Sequence, residues 1–142
     1  MYLLDANILI YAFRKDSPRY TACRTWLTET LTRGDAVLSS AIVEVALVRI
    51  NTLPSLENAA SLEDVFKFLE DLHKLPSYSY ASTRKAVTRR WKSLCERYTL
   101  AGNDVNDAYL VALALEHGAT LMSADKGFGR FKELTWLNPT AP

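Results

Sequence analysis

Met1-Tyr2-Leu3-Leu4-Asp5-Ala6-Asn7-Ile8-Leu9-Ile10 is the stretch whose reading decides the fold. A short apolar run ends in an acid, and a second apolar run comes after it that only Asn7 interrupts. Read as a buried strand over residues 1–4 and a turn of helix over Ala6 to Phe13, it puts Asp5 at a strand exit. Ligands of open α/β sheets bind just beyond the carboxyl ends of the strands, so chemistry is expected at that exit. Three further acids adjoin apolar segments: Glu44 inside Ala41 to Ile50, Asp107 opening Ala108 to Leu115, and Asp125 after Leu121-Met122-Ser123. Acids that end strands or open helices can converge in one crevice. Converging carboxylates repel, and they stay ionised together only around a cation. Oxygen-only ligands of this kind suit Mg²⁺ or Mn²⁺. The expectation is a metal-dependent enzyme.

Outward from that stretch, strands and helices alternate. Ser17-Pro18 is a helix start, with Ser at the N-cap and Pro at the first helical position, and Gly34 can end that helix left-handed. Ala22, Cys23, Trp26, Leu27, Thr30 and Leu31 mark its buried face. Ala36 to Ser39 reads as a strand, and Ser40 can cap the next segment. That segment, Ala41 to Ile50, fits a strand or a helix; the repeat of Ile42, Val45, Ala46 and Arg49 at three and four favours the helix. Ser61-Leu62-Glu63-Asp64 has capping-box spacing and opens an amphipathic helix that stops before Pro76. A helix from about Thr83 to Tyr98 is succeeded by one capped by Asn106, running through His117 and ended by Gly118. Ala119 to Ser123 is a further strand. A short helix near Phe128 to Phe131 and an edge strand around Trp136 close the chain. This alternation predicts a central, mostly parallel sheet covered by helices on both faces, a three-layer α/β/α arrangement.

The 142 residues, 49% of them hydrophobic, match one domain with an ordinary core. A formal net charge of +1 leaves any steering of a charged partner to local patches. Tyr2 to Phe13 has no basic leader and is too short to span a bilayer, so a soluble, cytoplasmic protein without membrane association is expected. Cys23 and Cys95 form neither a disulfide framework nor a metal spacing, and reduced thiols are expected.

Four segments together resemble the PIN-domain ribonucleases, and most closely the VapC toxins of bacterial toxin-antitoxin pairs. Leu4 to Ile10 is similar to the opening motif, Val43 to Arg49 to the second acid motif, and Asn106 to Ala114 to the third. Ser123 to Phe128, then Arg130-Phe131 and Trp136 to Pro139, is similar to the closing motif and tail. They occur in the family's order and span nearly the whole chain. Residues 51–100 match only in helical character. Where members often carry a further acid two residues after the fourth, this chain has Gly127. Asp104 competes with Asp107 for the third position; the Asp107-Ala108 pair opening an apolar helix favours Asp107.

The resemblance implies a PIN-like α/β/α fold and a metal-dependent endoribonuclease toxin. Asp5, Asp107 and Asp125 would hold one or two Mg²⁺ or Mn²⁺ ions, directly or through water, and Glu44 would complete the cage or orient the attacking water. Asn7 and Ser123 would hydrogen-bond the acids or a metal-bound water. A VapB-type antitoxin and a homodimer are also implied, Val65 to Leu72 being one candidate dimer contact or else core. Each residue also has a plainer reading: Asp5 as a turn acid, Glu44 paired with Arg49, Asp107 on a helix dipole, Asp125 as a cap. Arg84, Lys85, Arg89, Arg90, Lys92 and Arg97, with Trp91 and Tyr98, could track an RNA backbone or form a solvated face. His73 and His117 read as helix C-terminal residues outside the site. Two rival functions use the same residues. One is a haloacid-dehalogenase-like phosphatase, disfavoured by Asn7 where a second acid is usual. The other is a non-catalytic RNA-binding PIN-like adaptor, disfavoured by the complete acid set.

Overall fold

Five short strands, all parallel, form the centre of the computed structural model, which describes residues 1–141. In chain order the elements are β1 (Tyr2–Leu4), α1 (Ala6–Phe13), α2 (Tyr20–Thr32), β2 (Val37–Ser39), α3 (Ala41–Asn51) and α4 (Leu62–His73). Then come β3 (Tyr78–Tyr80), α5 (Lys85–Arg97), α6 (Asn103–His117), β4 (Thr120–Met122), a 3-10 helix (Lys126–Arg130) and β5 (Trp136–Leu137). Leu3, Leu4, Val37, Leu38, Leu121 and Met122 are all buried, as continuous apolar strands must be when helices cover both faces. Helix α1 packs on α2 and α3, α3 packs on α4, and α5 packs on α6.

The strand order is β3-β2-β1-β4-β5. From β1 the chain steps outward through β2 and β3, then returns to the other side of β1. The order therefore reverses between β1 and β4, and in such sheets the crevice opens at this reversal. Leu4 is in register with Met122, and the Asp5 amide donates to the Met122 carbonyl at 3.0 Å. Asp5 and Ser123, each one residue past its strand, are thereby neighbours.

Several details depart from the expectations drawn from sequence. Strand β3 is not among them; Tyr-Ser-Tyr alternates over only three residues, too few to register as a period. Helix α2 starts at Tyr20, not Pro18, because Ser17 is engaged in a turn: its Oγ accepts from the Arg19 amide and its carbonyl from the Tyr20 amide, both at 3.1 Å. Helix α6 starts at Asn103, three residues before the expected cap at Asn106, entered through Gly102 at φ +61. Asp104 thus lies in its first turn, and Asp107 does not open the helix.

Helix α3 forms where expected but with the opposite face inward. Val43, Glu44, Leu47 and Asn51 are buried, while Ile42, Val45 and Arg49 are not. Ser40 occupies the N-cap position, but its buried hydroxyl makes no hydrogen bond among the described residues. Ser61 does cap α4, accepting from the Asp64 amide at 3.1 Å. Val65, Leu69 and Leu72 belong to the core, so of the candidate dimer stretch Phe66 is a side chain left well exposed. Cys23 and Cys95 are free, and burial pushes the Cys23 thiol up to about 11. No helix among the described residues is long and apolar enough to cross a membrane.

Candidate metal site

Asp5 comes directly after β1 and is the N-cap of α1, an extended residue whose Oδ1 accepts from the Ala6 amide at 2.7 Å. Its other oxygen, Oδ2, accepts from Asn7 Nδ2 at 2.9 Å and from Ser123 Oγ at 2.7 Å. Asn7 in turn accepts from the Ala124 amide at 3.1 Å, and Ser123 Oγ accepts from the Asp125 amide at 3.0 Å. The loop after β1 is thus stitched to the loop after β4, and the Asp5 carboxyl is fixed by donors from both. Burial is the main cause that raises the Asp5 pKa. The Ser123 and Ala6 hydrogen bonds oppose it, and the charges of Asp107 and Asp125 add to it.

Asp107 is half-buried on α6, and its pKa is also raised, first by burial, with Arg130 opposing and Asp125 and Asp104 adding. Asp125 is exposed and caps the 3-10 helix, Oδ1 accepting from the Gly127 amide at 2.8 Å. Arg130 Nη2 donates to Asp104 Oδ1 and to Asp107 Oδ2, both at 3.3 Å. Three aspartates therefore share one field, with Asp104 at its rim.

Glu44 is held elsewhere along the same edge. Tyr78 Oη donates to its Oε1 at 2.8 Å, Tyr80 Oη donates to its Oε2 at 2.5 Å, and His73 Nε2 stands 2.8 Å from Oε1. The Glu44 hydrogen bond is the first cause that pushes the Tyr80 phenol up to about 12, and burial drives Tyr78 higher still. Glu44 also borders an apolar groove of about 460 Å³ lined by Val45, Val48, Phe66, Leu69 and Tyr80. The expected alternative partner, Arg49, makes no ion pair with it among the described residues. His73 ends α4 as expected and is in addition a Glu44 partner. Its role was invisible in sequence because both tyrosines lie on β3, the strand too short to read.

A divalent ion would have to fit this set. Among the described residues no three His, Cys, Asp or Glu side chains stand close enough to grip an ion as they are placed. The donor chemistry nevertheless suits a hard cation: Asp5, Asp107 and Asp125 offer only carboxylate oxygens, and a positive group, the Arg130 guanidinium, already rests on Asp107. Asp5, Asp107 and Asp125 fit the ion by donor chemistry alone, since as placed they do not close on a common point. Glu44, with three donors on its two oxygens, is committed to its own cluster in this arrangement.

Half of the basic residues singled out around α5 are paired with acids. Arg90 meets Glu116 at 2.7 Å, Arg97 meets Glu133 at 2.9 Å, and Lys92 lies 3.7 Å from Glu96. Trp91 donates to the Val105 carbonyl at 2.9 Å and stacks edge-on with Tyr109, and Tyr98 packs on Phe131. These aromatic rings serve packing and do not form an open stacking platform.

The PIN domain family model matches residues 2–134. The VapC ribonuclease Mb2897 of Mycobacterium bovis (strain ATCC BAA-935 / AF2122/97) is 34% identical over 148 residues, covering 98% of this chain and 95% of that protein. Among solved structures, VapBC-1 from nontypeable Haemophilus influenzae aligns with a TM-score of 0.70 at 20% identity, over 99% of this chain and 98% of the other. VapBC2 from Rickettsia felis, bound to a DNA fragment from its promoter, aligns at 0.65 with 22% identity, over 96% and 97%.

Proposed function

The chain belongs to the PIN-domain family and, within it, to the VapC ribonucleases, and from that premise we propose that it is a metal-dependent endoribonuclease toxin. The observation that carries the proposal is that Asp5, at the sheet's reversal point, and Asp107 are partly desolvated carboxyls whose pKa values are raised by burial first and then by the charge of Asp125, with Asp107 adding at Asp5. Carboxylates arranged at such cost favour the arrival of a cation.

The proposed ion is Mg²⁺ or Mn²⁺, held by Asp5, Asp107 and Asp125 directly or through water. When bound, it supplies a water of lowered pKa and neutralises charge on the phosphate oxygens. The chain's own residues do the rest. Asn7 and Ser123 fix the Asp5 carboxyl so that it does not rotate away from the phosphate. Glu44, immobilised by Tyr78, Tyr80 and His73, adds negative charge along the same edge, and one of these contacts would have to open for it to orient the attacking water. Hydrolysis of an RNA phosphodiester needs no covalent nucleophile here.

A VapB-type antitoxin is the proposed partner, since several structures of similar fold are toxin-antitoxin complexes. A homodimer and a cytoplasmic location are proposed on family grounds. Asp5→Asn and Asp107→Asn are expected to abolish cleavage of single-stranded RNA while circular dichroism stays native, and EDTA is expected to silence the wild type until Mn²⁺ is restored. Cleavage at the wild-type rate by both variants, or in EDTA, would refute the site.

A further inference from the structure

We propose that Arg130 is the site's built-in counter-cation, which occupies Asp107 while the ion is absent and transfers to a phosphate of the RNA once the ion arrives. The inference rests on the metal-dependent reading above.

Its geometry is that of a contact made to be exchanged. Nη2 bridges Asp104 Oδ1 and Asp107 Oδ2 at 3.3 Å each, longer than the roughly 2.7–2.9 Å of a strong guanidinium-carboxylate bond. The side chain is 34% exposed, so releasing it strands no buried charge. Two further contacts keep it at the rim when it lets go: Nη1 donates to the Gly127 carbonyl at 3.1 Å, and the guanidinium lies 4.7 Å from the centre of the Phe131 ring. A freed guanidinium beside the acids is the fork that matches phosphate oxygens.

Gly127 leaves room for the arrangement. A Cβ there would stand 3.0 Å from Arg130 Nη1 and 3.1 Å from Asp125 Oδ1, so both the guanidinium and the carboxylate would have to give by a few tenths of an ångström. Of the α5 cations, Arg90 and Arg97 are committed to Glu116 and Glu133. An ion that takes the Asp107 carboxylate must contend with the positive charge that Arg130 already places on its Oδ2. The proposal therefore requires Arg130 to weaken ion binding and to strengthen RNA binding.

Those opposite signs are the test. Mn²⁺ titration calorimetry on Arg130→Gln is expected to show binding about five-fold tighter than wild type, the scale of one partly exposed charge pair. Steady-state cleavage of a fluorogenic single-stranded RNA is expected to show KM raised by a similar factor, with kcat little changed. Unchanged or weaker Mn²⁺ binding in Arg130→Gln overturns the proposal and makes Arg130 a brace for Asp107. If the wild type takes up no Mn²⁺, the metal-dependent reading falls as well; if it binds Mn²⁺ normally and the variant matches it, only the exchange falls.

Discussion

Asp5 carries a conflict between stability and activity. Burial lifts its pKa above that of an unfolded aspartate. A group raised in this way contributes stability below its unfolded pKa of about 3.9, and that contribution is lost as pH rises through the folded value. At neutral pH and without a divalent ion, the ionised carboxyl is therefore a burden on the fold. The difference in Tm between Asp5→Asn and wild type in EDTA is expected to move in the variant's favour as pH rises from about 4 to about 7.5. A gap that stays constant with pH, measured by differential scanning calorimetry, would show that ionisation is not its source. Asp5, Asn7 and Ser123 could be read from sequence because each lies within a few residues of a strand end, where the parallel pairing of β1 and β4 leaves little freedom. Arg130 could not, since nothing in the order of residues says that a side chain 23 positions beyond Asp107 folds back onto it.

Strand β3 is three residues long, yet it positions Glu44. Ser39 pairs with Tyr80 in parallel register, which brings both tyrosines up to the buried face of α3. The acid motif was legible as a helix, but its buried face was not. Val and Ile cover α3 nearly all round, so spacing alone could not choose between the stripe of Ile42 and Val45 and that of Val43 and Leu47. The buried carboxyl itself was the better guide, because it demands partners. Tyr78→Phe removes a buried donor and leaves an acceptor of Glu44 short, at a cost of about 1–3 kcal/mol. Tyr80→Phe, with Tyr80 largely exposed, should cost less, because water can replace the phenol. Urea denaturation of the two variants checks the ranking; equal losses would mean that the burial of Tyr78 does not govern the cluster.

At the scale of the whole molecule, sheet order decides where the acids meet. Alternating short strands and helices made the α/β class and the parallel sheet legible, since parallel pairs need crossover connections and long apolar helices supply them. The order β3-β2-β1-β4-β5 depends on which strand edges meet in three dimensions, and three-residue strands carry too little pattern to specify that. Ion binding is a property of the assembled molecule and should stabilise all of it. A hundred-fold excess of Mn²⁺ over its Kd is expected to add about 2.7 kcal/mol, a rise in Tm on the order of 10 °C. Because the pKa values of Asp5 and Asp107 are raised, protons compete with the ion further up the pH scale than ordinary carboxyls would allow. The rise should therefore shrink as pH falls from about 8 towards 5. A rise independent of pH, seen by thermal melting with and without Mn²⁺, would place the ion on other ligands.

The pairing of β1 with β4 joins strands whose partners, Tyr2 and Thr120, lie far apart in the order of synthesis. A ribosome that has not yet delivered Thr120 to Asp125 holds a chain whose first acid has neither Ser123 beside it nor Asp125 to share an ion. Under the proposed mechanism a chain that stops short of that point is expected to cut no RNA.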